Sequence, residues 1–125
     1  MAGVTLDTGA LIAIERGSRR MQALLDEAAV AGEVVAVPAG ALAQAWRGQP
    51  RQARLARLLR QRMVDVVALD EPTARAAGVL CGRAATSDVV DASVVICARQ
   101  LRHVVVTSDA ADLRRLDPSA RLLEP

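Results

Sequence analysis

The sequence has no lysine, phenylalanine or tyrosine, and it has one tryptophan, one histidine and two cysteines among its 125 residues. Each scarcity excludes something. Without aromatic platforms the chain cannot hold RNA by stacking bases, so phosphate contacts and shape would have to serve. Cys81 and Cys97 lack zinc-type spacing, and His103 has no cluster beside it, so no zinc site is expected. Both cysteines lie in apolar helical runs and are expected to be buried, reduced thiols, which suits a cytoplasmic protein. No apolar run approaches the roughly 18 residues of a membrane span, and no basic segment followed by a long apolar core opens the chain. The expectation is a soluble, cytoplasmic protein with no membrane contact.

The length suits a single domain over 1–125 with one core. All 16 basic residues are arginine, and the formal charge is only +2. They are unevenly placed: no acid occurs between Glu33 and Asp65, while Arg47, Arg51, Arg54, Arg57, Arg60 and Arg62 fall in that gap. Arginine is the fork-shaped phosphate binder, so this flank could dock a polyanion, with Arg47, Arg51 and Arg54 as candidate substrate contacts. A solvated helix face explains the same run.

Along the chain, Gly3 to Leu6 reads as a short strand ending at Asp7, and Thr8 to Glu15 as a helix stopped by Gly17. Helical spacing from Met21 to Ala31 ends at Gly32, and Glu33 to Val37 is a strand. Pro38 opens a helix over Ala39 to Trp46 that carries Gln44 and ends near Gly48. Pro50 opens another, with Leu55, Leu58, Leu59 and Met63 as its apolar stripe. Val64 to Leu69 is a strand, and Asp70-Glu71-Pro72 starts a helix reaching about Gly82. A buried helix begins around Ser87-Asp88 and continues through Ala98. Val104 to Val106 is an all-apolar strand that stops before Asp109, a short helix runs through Leu116, and Ala120 to Leu123 is an edge strand. Strands alternating with helices imply an α/β/α architecture with a central, mostly parallel sheet of about four to five strands. Trp46, the only large aromatic, is expected to pack in the core.

Three acids take equivalent places: Asp7 after the first strand, Asp91 in the first turn of a helix, and Asp109 after the apolar strand. In a parallel sheet, ligands sit outside the carboxyl ends of the strands, so these side chains converge on one rim. Carboxylates that close repel one another unless a cation lies between them, and Mg²⁺ or Mn²⁺, hard ions with oxygen ligands, fit that place. Such a centre supports phosphodiester hydrolysis. Each acid has a structural rival. Asp88 can cap a helix, Asp91 can favour its dipole, Asp7 can cap the first helix, and Asp109 with Asp112 repeats the D-x-x-D spacing.

Leu6-Asp7-Thr8-Gly9-Ala10-Leu11, then Asp91 with Ala92 and Ala98, then Val106-Thr107-Ser108-Asp109 and Asp112-Leu113 together resemble the PIN domain, in particular VapC-type toxins of bacterial toxin–antitoxin pairs. The resemblance covers nearly the whole chain. It implies a compact α/β/α PIN-like fold, a Mg²⁺- or Mn²⁺-dependent endoribonuclease acting on RNA, a homodimer, and a cognate antitoxin covering the site. Asp7, Asp91 and Asp109 match the acidic ligands, and Asp88 matches an additional acid. One position departs. The family usually carries Glu before a Trp-Arg-Gly ending, whereas Ala43-Gln44-Ala45-Trp46-Arg47-Gly48 has Gln44. A neutral amide oxygen can still coordinate a cation or simply bond a neighbouring group, but it removes a negative charge and is a poor base. The alternative is therefore a weakened module that binds RNA or antitoxin without efficient cleavage.

Overall fold

A computed structural model describes residues 3–125. Five strands, β1 (Val4–Leu6), β2 (Val35–Pro38), β3 (Val64–Val67), β4 (Val104–Val106) and β5 (Leu122–Leu123), form one sheet in the order β3-β2-β1-β4-β5, and every pairing is parallel. Seven helices connect or flank them: α1 (Thr8–Glu15), α2 (Arg19–Ala31), α3 (Ala39–Ala45), α4 (Ala53–Leu59), α5 (Glu71–Ala84), α6 (Val89–Leu101) and α7 (Ala110–Leu116). The chain moves outward from β1 to β3, then returns past β1 to β4 and β5. Since parallel crossovers are right-handed, the two directions of travel put their helices on opposite faces, giving three layers. This is the expected α/β/α fold.

Local chemistry explains most boundaries. β1 and β2 are buried throughout; β2 reads as an unbroken apolar run, and in β1 the buried Thr5 hydroxyl is satisfied by His103 Nδ1 at 3.0 Å. The edges are different. β3 exposes Asp65 and Val66, and β5 is only two residues long, both features that discourage strand addition. α6 packs on β1, β2 and β4 and also against α3, α5 and α7. Hence seven consecutive residues, Ala92 to Ala98, are buried and its apolar character wraps round the helix. Ser18 caps α2 by accepting the Met21 N–H, and Gly32, at φ +68°, ends it in the left-handed conformation. Cys81 and Cys97 are both buried free thiols. No helix among the described residues is long and apolar enough to cross a membrane.

Several element boundaries and one burial expectation need correction: β2 starts at Val35 rather than Glu33, and the edge strand is only Leu122–Leu123. β3 stops at Val67, whose partner Pro38 is the last residue of β2, so Ala68 and Leu69 have no ladder to join. α5 continues through Gly82 to Ala84 and is ended by Ala85 at φ +54°. Trp46 is 39% exposed rather than in the core, because α3 ends at Ala45 and the backbone turns extended at Trp46. The helix expected from Pro50 begins instead as a single 3-10 turn, Pro50–Gln52, and α4 ends before Met63, which packs on the core from outside any helix.

The cause of the last two lies in Gln52, which is 1% exposed. Its Nε2 donates to the Glu15 carboxylate (2.6 Å) and the Ala45 carbonyl (2.8 Å). Its Oε1 accepts from the Arg47 (2.8 Å) and Gly48 (3.0 Å) N–H groups. One amide thus satisfies its whole hydrogen-bonding capacity while tying the end of α1, the end of α3 and the loop after it to the start of α4. Replacing it with an apolar residue of similar size strands these partners. Gln52→Leu should lower unfolding free energy in urea by about 2–4 kcal/mol, whereas the exposed neighbour variant Arg51→Leu should stay within about 1 kcal/mol.

Candidate functional site

The strand order reverses at β1: its neighbours are β2 on one side and β4 on the other. In doubly wound sheets the crevice outside the carboxyl ends at such a point is where ligands bind. Leu6 pairs with Val106, and the Asp7 N–H continues the ladder by donating to the Val106 carbonyl at 3.1 Å. The segments following the two strands therefore lie side by side. They approach closely at Gly9, where a Cβ would stand 2.0 Å from Ser108 Oγ. Glycine leaves room for the Ser108 side chain where α1 starts against the loop that carries Asp109.

Asp7 is 2% exposed and caps α1, its Oδ1 accepting the Ala10 N–H at 2.9 Å. Burial pushes its pKa up, the Thr107 hydroxyl and the Ala10 N–H pull it back, and the charge of Asp109 pushes it up again. Asp109 occupies the cap position of α7 but makes no side-chain cap bond; its own N–H donates to Thr107 Oγ1 at 2.8 Å. Its exposed carboxylate is thus not committed to its own helix, which removes capping as the explanation for it.

Asp88 does cap, accepting the Asp91 N–H at 3.0 Å at the start of α6. Asp91 is half-buried in the first turn, and its pKa is raised to about 7, first by burial, then by Asp88, and further by Asp109 and Asp7. Three elements remote in sequence therefore bring Asp7, Asp91 and Asp109 into one electrostatic field, with Asp88 at its edge. They do not form a ready cage: no group of three acidic, histidine or cysteine side chains among the described residues is placed to hold a metal ion as it stands. The donor chemistry nevertheless fits a hard cation. The donors are carboxylate oxygens, one of which burial and then the neighbouring acids drive to hold a proton near neutrality, and hard ions such as Mg²⁺ commonly complete their shell with water and substrate.

Gln44 is exposed, and its Oε1 accepts from Thr8 Oγ1 at 2.8 Å. It sits against the first residue of α1, next in sequence to Asp7. The arginines expected to hold substrate are partly engaged elsewhere. Arg47 folds back to donate to the Trp46 (2.8 Å) and Ala43 (3.3 Å) carbonyls, closing the end of α3. Arg51 lies 4.0 Å from the Glu15 carboxylate, and Arg54 reaches the Glu15 carbonyl at 3.5 Å.

A different arginine faces the acids. Arg115 lines a cleft of about 180 Å³ with Asp88, Asp91, Asp112 and Thr86, and no ion pair among the described residues includes it. Sequence reasoning missed it, although a signal was present. In α7, Leu113 and Leu116 are buried, which leaves Asp112 and Arg115, three residues apart, together on another face.

No curated protein matches the chain. Several solved structures share its fold. DNA-bound VapBC from Salmonella typhimurium is similar at 16% identity and a TM-score of 0.72, covering 99% of this chain and 98% of that one. VapBC2 from Rickettsia felis, bound to a promoter DNA fragment, gives 16% and 0.73 with 98% of each chain covered. FitAcB from Neisseria gonorrhoeae gives 20% and 0.68, covering 98% of this chain and 97% of that one. The family model for the PIN domain matches residues 4–117, a span that contains β1 to β4, the reversal between β1 and β4, and every acid around it. With order, topology and acidic rim in agreement with that match, the chain belongs to the PIN domain family.

Proposed function

We propose that the protein is a divalent-metal-dependent endoribonuclease of the VapC type, the toxin of a toxin–antitoxin pair, with Asp7, Asp91 and Asp109 as metal ligands and Asp88 as an auxiliary acid. The observation that carries this reading is the placement of Asp7 and Asp109 just past the paired ends of β1 and β4, where the strand order reverses, with half-buried Asp91 close enough for both to act on its carboxyl after burial and Asp88. The likeness to the VapBC and FitAcB structures supports a partner antitoxin, and PIN membership supports nuclease chemistry. Mg²⁺ or Mn²⁺, when bound, supplies charge neutralisation at a phosphate and makes an adjacent water more acidic.

The chain's own residues do the rest. Asp7, fixed by the Ala10 N–H, gives the site a rigid buried carboxylate, while exposed Asp109 provides the adjustable one. Thr107 holds the turn into Asp109. Arg115 lines the same cleft as Asp88 and Asp91, and a guanidinium fork is suited to binding a phosphate bidentately. In this reading RNA is held by its phosphates, and the protein acts as a homodimer in the cytoplasm. A second reading, a weakened site, is favoured by Gln44, which brings no charge and whose amide oxygen already accepts from Thr8.

Purified protein with Mn²⁺ should cleave single-stranded or structured RNA. Asp7→Asn and Asp109→Asn should each lower the rate about 100-fold or more. Gln44→Glu separates the two readings. A gain of about tenfold or more in cleavage marks a weakened site, and an unchanged rate marks a site that tolerates the amide.

Thermal unfolding checks the metal site independently. Because the folded-state pKa of Asp91 lies above its ordinary value of 3.8, the folded protein keeps a proton that the unfolded chain has lost between about pH 4 and 7. Stability of the metal-free protein should therefore be highest at the acid side of that window and fall as pH rises through 7. Buried Asp7 adds in the same direction. At pH 8 saturating Mn²⁺ should raise Tm by roughly 5 °C or more, and by less at pH 5. Asp91→Asn should flatten the pH dependence in EDTA; a slope identical to that of the parent refutes the assignment.

Arg115→Ala should raise the Kd for RNA about tenfold while leaving the Mn²⁺-induced Tm shift intact, and Arg115→Lys should recover only part of the affinity. Equal RNA affinity in Arg115→Ala and the parent removes this residue from the site.

A further inference from the structure

Away from the acidic rim, Arg19, Arg54 and Arg57 line a cleft of about 250 Å³, floored by Ile14, Leu25 and Leu58, between the α1–α2 turn and α4. No acidic side chain lines it, and none of the three arginines forms an ion pair among the described residues. Glu15, the one acid on α1, is directed elsewhere. Its carboxylate accepts from Gln52 at 2.6 Å and faces Arg51 at 4.0 Å, so Arg54 reaches only its backbone carbonyl.

Helix electrostatics explain only part of this placement: Arg54 donates to the last carbonyl of α1, and Arg57 lies in the last turn of α4, where the dipole favours a cation. Arg19 is the first residue of α2, where the helix dipole disfavours positive charge, and Arg54 and Arg57 are like charges three apart on α4. Arg54 is also seated on the α1–α2 turn. A Cβ at Gly17 would lie 3.1 Å from the guanidinium carbon, so a larger residue there would crowd it. The result is a set of solvent-exposed forked donors gathered beside an apolar floor, each free to make charge-assisted bonds.

We propose that this cleft is a phosphate-binding site, distinct from the acidic rim, that takes a phosphate monoester or diester. Three guanidinium forks offer more donors than one carboxylate accepts, and a phosphate group presents enough oxygens to meet them. The phosphate comes from a free nucleotide or from an RNA backbone.

Titration calorimetry in EDTA at constant ionic strength, with the full chain carrying Asp7→Asn, keeps this test independent of metal-dependent cleavage. Inorganic phosphate and adenosine 5′-monophosphate should bind and adenosine should not. Arg54→Gln and Arg57→Gln should each weaken binding about tenfold, while Arg75→Gln, which loses the exposed pair with Glu71, should not change it. Tighter binding of the monophosphate identifies a nucleotide as the source. Tighter binding of a short oligoribonucleotide without terminal phosphates identifies the backbone. Ligand-free melting confirms that each variant folds, and Arg19→Gln serves should either α4 variant fail. The proposal is overturned if no phosphate ligand binds in an arginine-dependent way, or if decaglutamate binds more tightly than all of them, which assigns the cleft to an acidic protein partner.

Discussion

Parallel pairing of β1 with β4 is the constraint on which the rest of the molecule depends. These strands are neighbours in the sheet, although nearly a hundred residues separate Leu6 from Val106. Their register leaves Asp7 and Thr107 level at the carboxyl edge, and the Asp7 N–H closes the ladder on Val106. A one-residue slip would draw Asp7 or Thr107 into the buried ladder in place of an apolar partner, so the burial of Val4–Leu6 and Val104–Val106 also sets where the carboxylates stand. Gly9 completes the arrangement by letting the Ser108 loop lie against α1.

That placement carries an electrostatic penalty. Asp7 is buried beside a second acid, and Asp91 faces three others from a half-buried helix start. Three features offset the penalty locally: the Ala10 N–H, the Thr107 hydroxyl and the Asp91 N–H that Asp88 accepts. The packing around α6 holds the remaining strain, since seven consecutive buried residues anchor the helix whatever its first turn prefers. Elsewhere the fold avoids this conflict. Buried Asp117, for instance, is opposed by burial but is brought below its usual range by Arg99 at 2.9 Å and by Ser119.

The layer order, the parallel sheet and the acids at the ends of β1 and β4 were legible because they rest on local signals: unbroken apolar runs, glycine stops and acids directly after strands. What escaped depends on contacts between distant segments. Nothing near Gln52 marks it as a buried staple, because its partners Glu15, Ala45, Arg47 and Gly48 come from three different elements or loops. Trp46 looked like a core residue by composition, yet the termination of α3 that this staple enforces turns it outward. Arg47 stood in a conspicuous basic run but folds back onto its own helix end, while Arg115, outside that run, lines the acidic cleft.

Charge in this protein is therefore organised by position more than by amount. A net charge of +2 conceals an acidic rim at one end of α1 and an uncompensated arginine cleft at its other end. α1 is eight residues long, which separates the two regions by about 12 Å along its axis, beyond the Debye length of roughly 8 Å at physiological salt. Across that distance the arginines do little to relieve repulsion among Asp7, Asp91 and Asp109. Each region must then be neutralised on its own terms, the first by a cation and the second by an anion, and a polyanion drawn to the cleft need not disturb the carboxylates.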